Sequence, residues 1–212
     1  PCAEAVRAQQ RVELAQLVAG VADRLAVQRH GFAKHLGARL RSLVDHVVLG
    51  KARNGQLQGF RQEARIAGAQ AAAIAQVRPG NPWEAAHDAA VAVLVRGFID
   101  FGLCAGTVES VIESGDFRRF YMHRTGHWLG LDVHDAGDYK RDGQWRTLET
   151  GMTLTVEPGC YIRPAENVPE AFWNIGIRIE DDALVTATGC ELLTAETPKS
   201  VADIESIVGT VA

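Results

Sequence analysis

An α+β fold is what this chain of 212 residues predicts, with helices in the first half and short strands in the second. Three observations carry that expectation. Apolar residues recur at intervals of three and four as far as about Ser114, the period of a helix. From Tyr121 onward the apolar positions alternate, the period of a strand, with glycines and prolines between the runs. At the change of texture stands Phe120-Tyr-Met-His-Arg-Thr-Gly-His-Trp-Leu-Gly-Leu-Asp-Val-His-Asp135, which places His123, His127 and His134 within twelve positions.

In the first segment, Val12, Leu14, Leu17, Val18, Val21 and Leu25 give a loose helical period, and a second helical pattern runs from about Leu36 to Leu49. Ala69 to Val77 reads as the end of a helix. Arg78-Pro-Gly-Asn-Pro-Trp83 breaks it, with Asn81 as the expected cap of the next helix and Pro82 at its first position. That helix should run to about Phe101, stop at Gly102, and be followed by a shorter one over Val108 to Ser114. Met152, Leu154 and Val156 then alternate with Thr153, Thr155 and Glu157. Ile175, Ile177 and Ile179 alternate with Gly176, Arg178 and Glu180. The period of two puts Glu157 on one polar face and Arg178 with Glu180 on another. Ala183 to Thr186 continues outward, Thr188-Gly189 turns back, and Ser200 caps a last helix with Asp203 three positions on.

Composition fits one sizeable domain: 47% hydrophobic and 23% charged is enough for a core without marking disorder. No run of eighteen apolar residues appears, so no membrane span is expected. The chain opens at Pro1 without a methionine, as in a fragment, and Pro1-Cys-Ala-Glu-Ala has no signal-peptide pattern. Cys2, Cys104, Cys160 and Cys190 form no CxxC pair, which favours free thiols and a cytoplasmic location. The net charge of −4 divides into +6 over residues 1–68 and −10 over residues 69–212. So sharp a shift places a boundary near Gly68, between a basic, helical-looking segment and the remainder. A basic segment could be a nucleic-acid arm, but aromatic interleaving and any binding motif are lacking, so no nucleic acid is expected.

One imidazole with several carboxylates is a ligand set for a catalytic divalent metal rather than for structural zinc. His127, flanked by Gly126 and Gly130, is the leading ligand candidate; the alternative is a hydrogen-bonded structural histidine. His123-x-x-x-His127 is not a helical zinc pair, because Arg124 stands where the adjacent glutamate of HExxH would be. Glu157 and Glu180 close alternating apolar strands, where an unpaired carboxylate would be costly, so metal or arginine pairing is expected. Arg178 lies two residues before Glu180 on the same face and can orient it. His123 and His134 are read either as proton-transfer groups beside a metal or as packing partners of Tyr121 and Trp128. Asp181 and Asp182 read as turn or surface residues, His87 and Asp88 as surface residues on a helix. Cys104 and Cys160 read as small buried hydrophobes.

Phe120 to Asp135, Leu148-Glu-Thr-Gly-Met-Thr-Leu-Thr-Val-Glu-Pro-Gly-Cys-Tyr-Ile162 and Asn174-Ile-Gly-Ile-Arg-Ile-Glu-Asp-Asp182 together resemble the proline-specific (Xaa-Pro) aminopeptidases of the aminopeptidase P type. The resemblance covers about Ala69 to Val208, with three separate motifs in order. It implies the C-terminal half of a pita-bread catalytic domain, α+β, with a curved antiparallel sheet backed by helices. It implies two divalent metal ions, usually manganese, held by two Asp, one His and two Glu. By motif His127, Glu157 and Glu180 match the histidine and glutamate ligands, His123 and His134 the active-site histidines, and Arg178 the arginine behind the ligands. The implied reaction is removal of an N-terminal residue from a peptide with proline at its second position.

The family's aspartate pair is Asp followed eleven residues later by Asp-x-Thr-Arg-Thr. Residues 1–68 hold only Asp23 and Asp45, followed at that distance by Lys34 and Gln56, and the first threonine of the chain is Thr107. Two accounts of the segment follow: an out-of-frame translation of a GC-rich gene, or a divergent helical N-terminus. Two accounts of function follow as well. One is an Xaa-Pro metalloaminopeptidase. The other is an inactive pita-bread fragment or binding module, holding one ion weakly or none. A homo-oligomer remains open.

Overall fold

A computed structural model describes residues 56–131, 133–200 and 203, with side chains from Arg65 onward. They all fall within one compact unit. The helical patterns expected at Val12–Leu25 and Leu36–Leu49 lie outside the described residues.

Two long helices come first. Helix α1 spans Gln56–Ile74, so the charge boundary at Gly68 falls inside it. Helix α2 spans Glu84–Asp100. Ile66, Ala69 and Ala73 recur at three and four on α1 and are buried, as are Ala86, Ala90, Leu94 and Gly97 on α2. Small side chains let the two helices approach closely; a methyl group at Gly97 would press on the Arg65 side chain at 3.3 Å. Arg65 also reaches Asp100 at 2.5 Å across the pair. The expected Asn81 cap is corrected. The helix starts at Glu84 and has no side-chain cap. The Asn81 amide donates instead to the Gln76 carbonyl at 3.0 Å, tying up the loop between the helices. Helix α3, Val108–Ser114, has the reciprocal Thr107–Ser110 cap and ends at Gly115 in the left-handed region. Such a cap contributes about 1 kcal/mol.

The strands follow. Lys140–Arg141 (β1) and Gln144–Trp145 (β2) form a hairpin through Asp142 and Gly143, both at positive φ. Thr153–Val156 (β3) pairs antiparallel with Asp181–Val185 (β6), and Gly159–Ile162 (β4) with Ile175–Arg178 (β5). Cys190–Leu192 (β7) extends β6. One register runs through both pairs: Val156 faces Asp181 and Gly159 faces Arg178. β3–β4 and β5–β6 are therefore one two-stranded ribbon, interrupted at Glu157-Pro158 on one side and Ile179-Glu180 on the other. Pro158 has no N–H to give the ladder. The core lies between this ribbon and the helices, through Leu154, Val156, Cys160, Ile177 and Ala183.

Asp181 corrects the expectation of a turn or surface residue. It is 1% exposed. Its carboxylate accepts from Gln70 of α1 at 3.1 Å, Thr194 at 2.7 Å and Lys199 at 3.0 Å. A buried carboxylate with three donors clamps ribbon to helix.

Candidate metal centre

The interruption of the ribbon is where the carboxylates gather. Because the register is continuous, Glu157 stands opposite Glu180, a like-charge pair that needs a counter-ion. Arg178 supplies it: Nη1 donates to Glu157 Oε2 and to Glu180 Oε2, each at 2.7 Å. The two polar faces expected from the alternation are thus one face. Burial works against the Arg178 charge, but Glu180 and Glu157 outweigh it and raise the guanidinium above its ordinary range.

His127 arrives from the other side. Residues 125–129 run along β3 as an extra edge: Glu157 N–H donates to the Thr125 carbonyl at 2.7 Å and Thr155 N–H to the His127 carbonyl at 3.0 Å. His127 N–H donates to Thr155 Oγ1 at 3.0 Å, and that hydroxyl donates to Glu157 Oε1 at 3.1 Å. Gly126 permits this approach, since a Cβ there would overlap the Thr155 carbonyl. The glycine thus serves contact with β3 rather than room for an ion.

The tautomer of His127 follows from its partner. Nδ1 lies 2.9 Å from the Trp128 carbonyl, which can only accept, so Nδ1 carries the proton and Nε2 the lone pair. Nε2 points at Glu157 Oε1, 3.4 Å away. Ligand-type atoms of His127, Glu157 and Glu180 all lie within 4.8 Å of one another. Among the described residues no other group of three or more His, Cys, Asp or Glu meets that geometry. Two carboxylates against one guanidinium leave a net negative charge beside an imidazole lone pair, and this donor set suits a divalent cation.

His123 and His134 flank the trio. His123 Nδ1 donates to the Arg124 carbonyl at 2.8 Å, so its Nε2 accepts from the Tyr161 hydroxyl at 2.9 Å. Burial raises the Tyr161 hydroxyl above its ordinary range. The His134 ring packs at a tilt on His127, 4.1 Å between ring centres, from an exposed loop. All six expected residues thus meet, and five of them, with Glu180 beside them, line a cavity of about 640 Å³.

The sequence reading missed the aromatic wall of that cavity: Trp83, Tyr139, Trp145 and Tyr161. Trp83 packs on Trp128 at 4.0 Å and Tyr139 at 4.9 Å between ring centres. Arg124 and Lys140 lie over Trp145 at 4.8 and 4.1 Å. The aromatic residues of the β1–β2 hairpin region were the available signal. His87 was misplaced as well. It is half-buried, hydrogen-bonded to Thr125 and, by burial and the nearby His123 and Arg118 charges, lowered to about 4. Burial lifts the Cys104 and Cys160 thiols to about 11 and about 12, which suits inert packing rather than nucleophiles. No helix among the described residues is long and apolar enough to cross a membrane.

Residues 61–187 match the sequence pattern described as Metallopeptidase family M24. The chain is 49% identical over 140 residues to an Xaa-Pro aminopeptidase of Haemophilus influenzae, covering 66% of this chain and 32% of that protein. It is 47% identical over 131 residues to the Xaa-Pro aminopeptidase of Escherichia coli, covering 62% and 30%. Among solved structures, the aminopeptidase PepP of Pseudomonas aeruginosa superposes with a TM-score of 0.70 at 45% identity, over 72% of this chain and 35% of that one. A zinc-substituted E. coli aminopeptidase P in complex with product gives 0.65 at 41% identity, over 69% and 33%. The chain spans about a third of the length of these relatives.

Proposed function

The chain belongs to Metallopeptidase family M24, and from that premise we propose that it serves metal-dependent release of an N-terminal residue that precedes proline. The observation that carries this reading is the convergence of His127, Glu157 and Glu180 at the interrupted ribbon, in a chain whose relatives are Xaa-Pro aminopeptidases. His127 Nε2 and the two glutamates would hold one divalent ion weakly, with manganese as the finer proposal; the two-ion site belongs to the complete family site with its aspartate pair. When bound, such ions act as Lewis acids on a peptide carbonyl and lower the pKa of water.

This chain's residues do the rest. Arg178 keeps the two carboxylates together and aimed at one point. The His123–Tyr161 pair can take up or pass on a proton at His123 Nε2. His134, open to the cavity, can hydrogen-bond the reacting peptide. Trp83, Tyr139 and Trp145 form an aromatic wall suited to a pyrrolidine ring. Catalysis in the cytoplasm belongs to the same reading, supported by thiols that are free at Cys104, Cys160 and Cys190.

The test is manganese titration of the purified chain, followed by hydrolysis of an Xaa-Pro tripeptide, with His127→Ala and Glu180→Gln as controls. Manganese-dependent cleavage lost in both variants is expected. Failure of the wild-type chain to take up any divalent ion would overturn the ligand assignment. Metal uptake without turnover would favour the non-catalytic reading, which the Xaa-Pro aminopeptidase relatives do not favour.

A further inference from the structure

We propose that His87, on α2, is a positioning residue for the metal centre: it anchors the Thr125–His127 segment that sets His127 and Glu157 against each other. The proposal rests on the reading of those two residues as ligands. His87 Nδ1 lies 2.9 Å from Thr125 Oγ1, and the Tyr121 hydroxyl lies 2.7 Å from the same oxygen. Thr125 is 3% exposed and Tyr121 1%, so bulk solvent does not reach the shared hydroxyl. The chain of hydrogen bonds is satisfied in either direction, because the Thr125 hydroxyl can donate to one neighbour and accept from the other.

What Thr125 does with its other end gives the anchor its meaning. Its carbonyl accepts the Glu157 N–H at 2.7 Å, beside the carboxylate that faces His127 Nε2. The next residue, Gly126, has no side chain with which to brace the turn into His127, and glycine is the residue with most backbone freedom. Toward the helix the packing is incomplete. A cavity of about 10 Å³ lies between Ala86 and His87 of α2 and Thr125, Gly126 and Thr155. The His87–Thr125–Tyr121 bridge therefore ties the segment to the helix. A neutral His87, lowered to about 4 by burial, keeps that bridge in one protonation state near neutrality.

The experiment compares His87→Phe, which keeps a ring but no hydrogen-bonding nitrogen, with His87→Asn, whose amide can donate or accept at the position of Nδ1. Amide hydrogen exchange is read by NMR on the full chain without metal, and manganese affinity is read separately. In His87→Phe the Glu157 and His127 amides should exchange about tenfold faster, while amides along β4–β5 keep their rates. Manganese should bind this variant about tenfold more weakly. His87→Asn should stay within about twofold of wild type in both readouts. Unchanged exchange in His87→Phe would overturn the proposal. So would equal changes in both variants, acceleration spread evenly through β4–β5, or unchanged affinity where the wild type binds manganese. If the wild type takes up no manganese, the ligand assignment falls, and the exchange comparison still decides whether His87 positions the segment.

Discussion

The bent ribbon and the loop Gly130–Asp138 both border the cavity, and they are held in opposite ways. Glu157 and Glu180 sit at the break between strands paired through a continuous register, bridged by Arg178 and flanked by the buried Asp181. The described part of the loop is largely open: Leu131 is 99% exposed and Val133 69%, with the Asp135 N–H bonded to the Trp128 carbonyl at 3.0 Å. His134 rides on that loop and touches the centre through its packing on His127. The contrast assigns work. Groups that must keep fixed mutual distances lie between paired strands, and a group proposed to meet an incoming peptide lies on a more exposed segment.

The sharpest way to break the comparison is to attack the braced side. Gly126→Ala should cost about 3 kcal/mol of unfolding free energy in a denaturant titration, because the Thr155 backbone cannot yield to a methyl group. A loss under half of that would show that the segment is less fixed than the ladder implies. Arg178→Met removes the counter-ion of a facing carboxylate pair and should cost about 2 kcal/mol, less than a fully buried pair would, since Arg178 is partly exposed. Added manganese should narrow that loss, and a loss indifferent to manganese would separate the carboxylates from any ion.

A third effect depends on pH. His87 is lowered from 6.5 to about 4, first by burial and then by the His123 and Arg118 charges. Between those values the unfolded chain takes up a proton that the folded chain refuses, so stability is full above 6.5 and falls as pH drops toward 4. For a half-buried group, solvent screening leaves about 1 kcal/mol of that fall. The stability gap between wild type and His87→Phe, followed by thermal melts, should shrink across this window; a constant gap would rule it out. The smallest effect belongs to the loop. His134→Ala should change stability by less than about 0.5 kcal/mol while reducing peptide turnover. A loss as large as that of Gly126→Ala would erase the contrast.

Much of this arrangement was legible in the chain, because it follows from local period. Alternation at Met152–Val156 and Ile175–Ile179 located both strands and placed a carboxylate at the end of each. The end of α2 near Gly102 followed from turn chemistry, and the span of α3 agrees with the expected Val108 to Ser114. What escaped depends on contacts far apart in sequence. His87 meets Thr125 across 38 residues and Gln70 meets Asp181 across 111, so nothing beside either residue announces its burial. Asn81 had the right residue type for a cap, but Trp83 N–H is taken by the Arg146 carbonyl and Gly80 N–H by Leu148, which delays the helix to Glu84. Asp142-Gly143 was a local hairpin signal, and with it the placement of Trp145 at the cavity could have been found.

The matched interruptions at Glu157-Pro158 and Ile179-Glu180 turn the ribbon into a ruler. The distance between the two glutamates is set by counting rungs from either end, not by the side chains that surround them. A slip of one rung would turn one glutamate to the opposite face, and a slip of two would keep the face but carry it about 7 Å along the strand. An insertion in one strand is therefore tolerable only with a compensating insertion in the other. The centre should accept wide variation in the loop between Ile162 and Ile175 and almost none in residues 153–162 and 175–185.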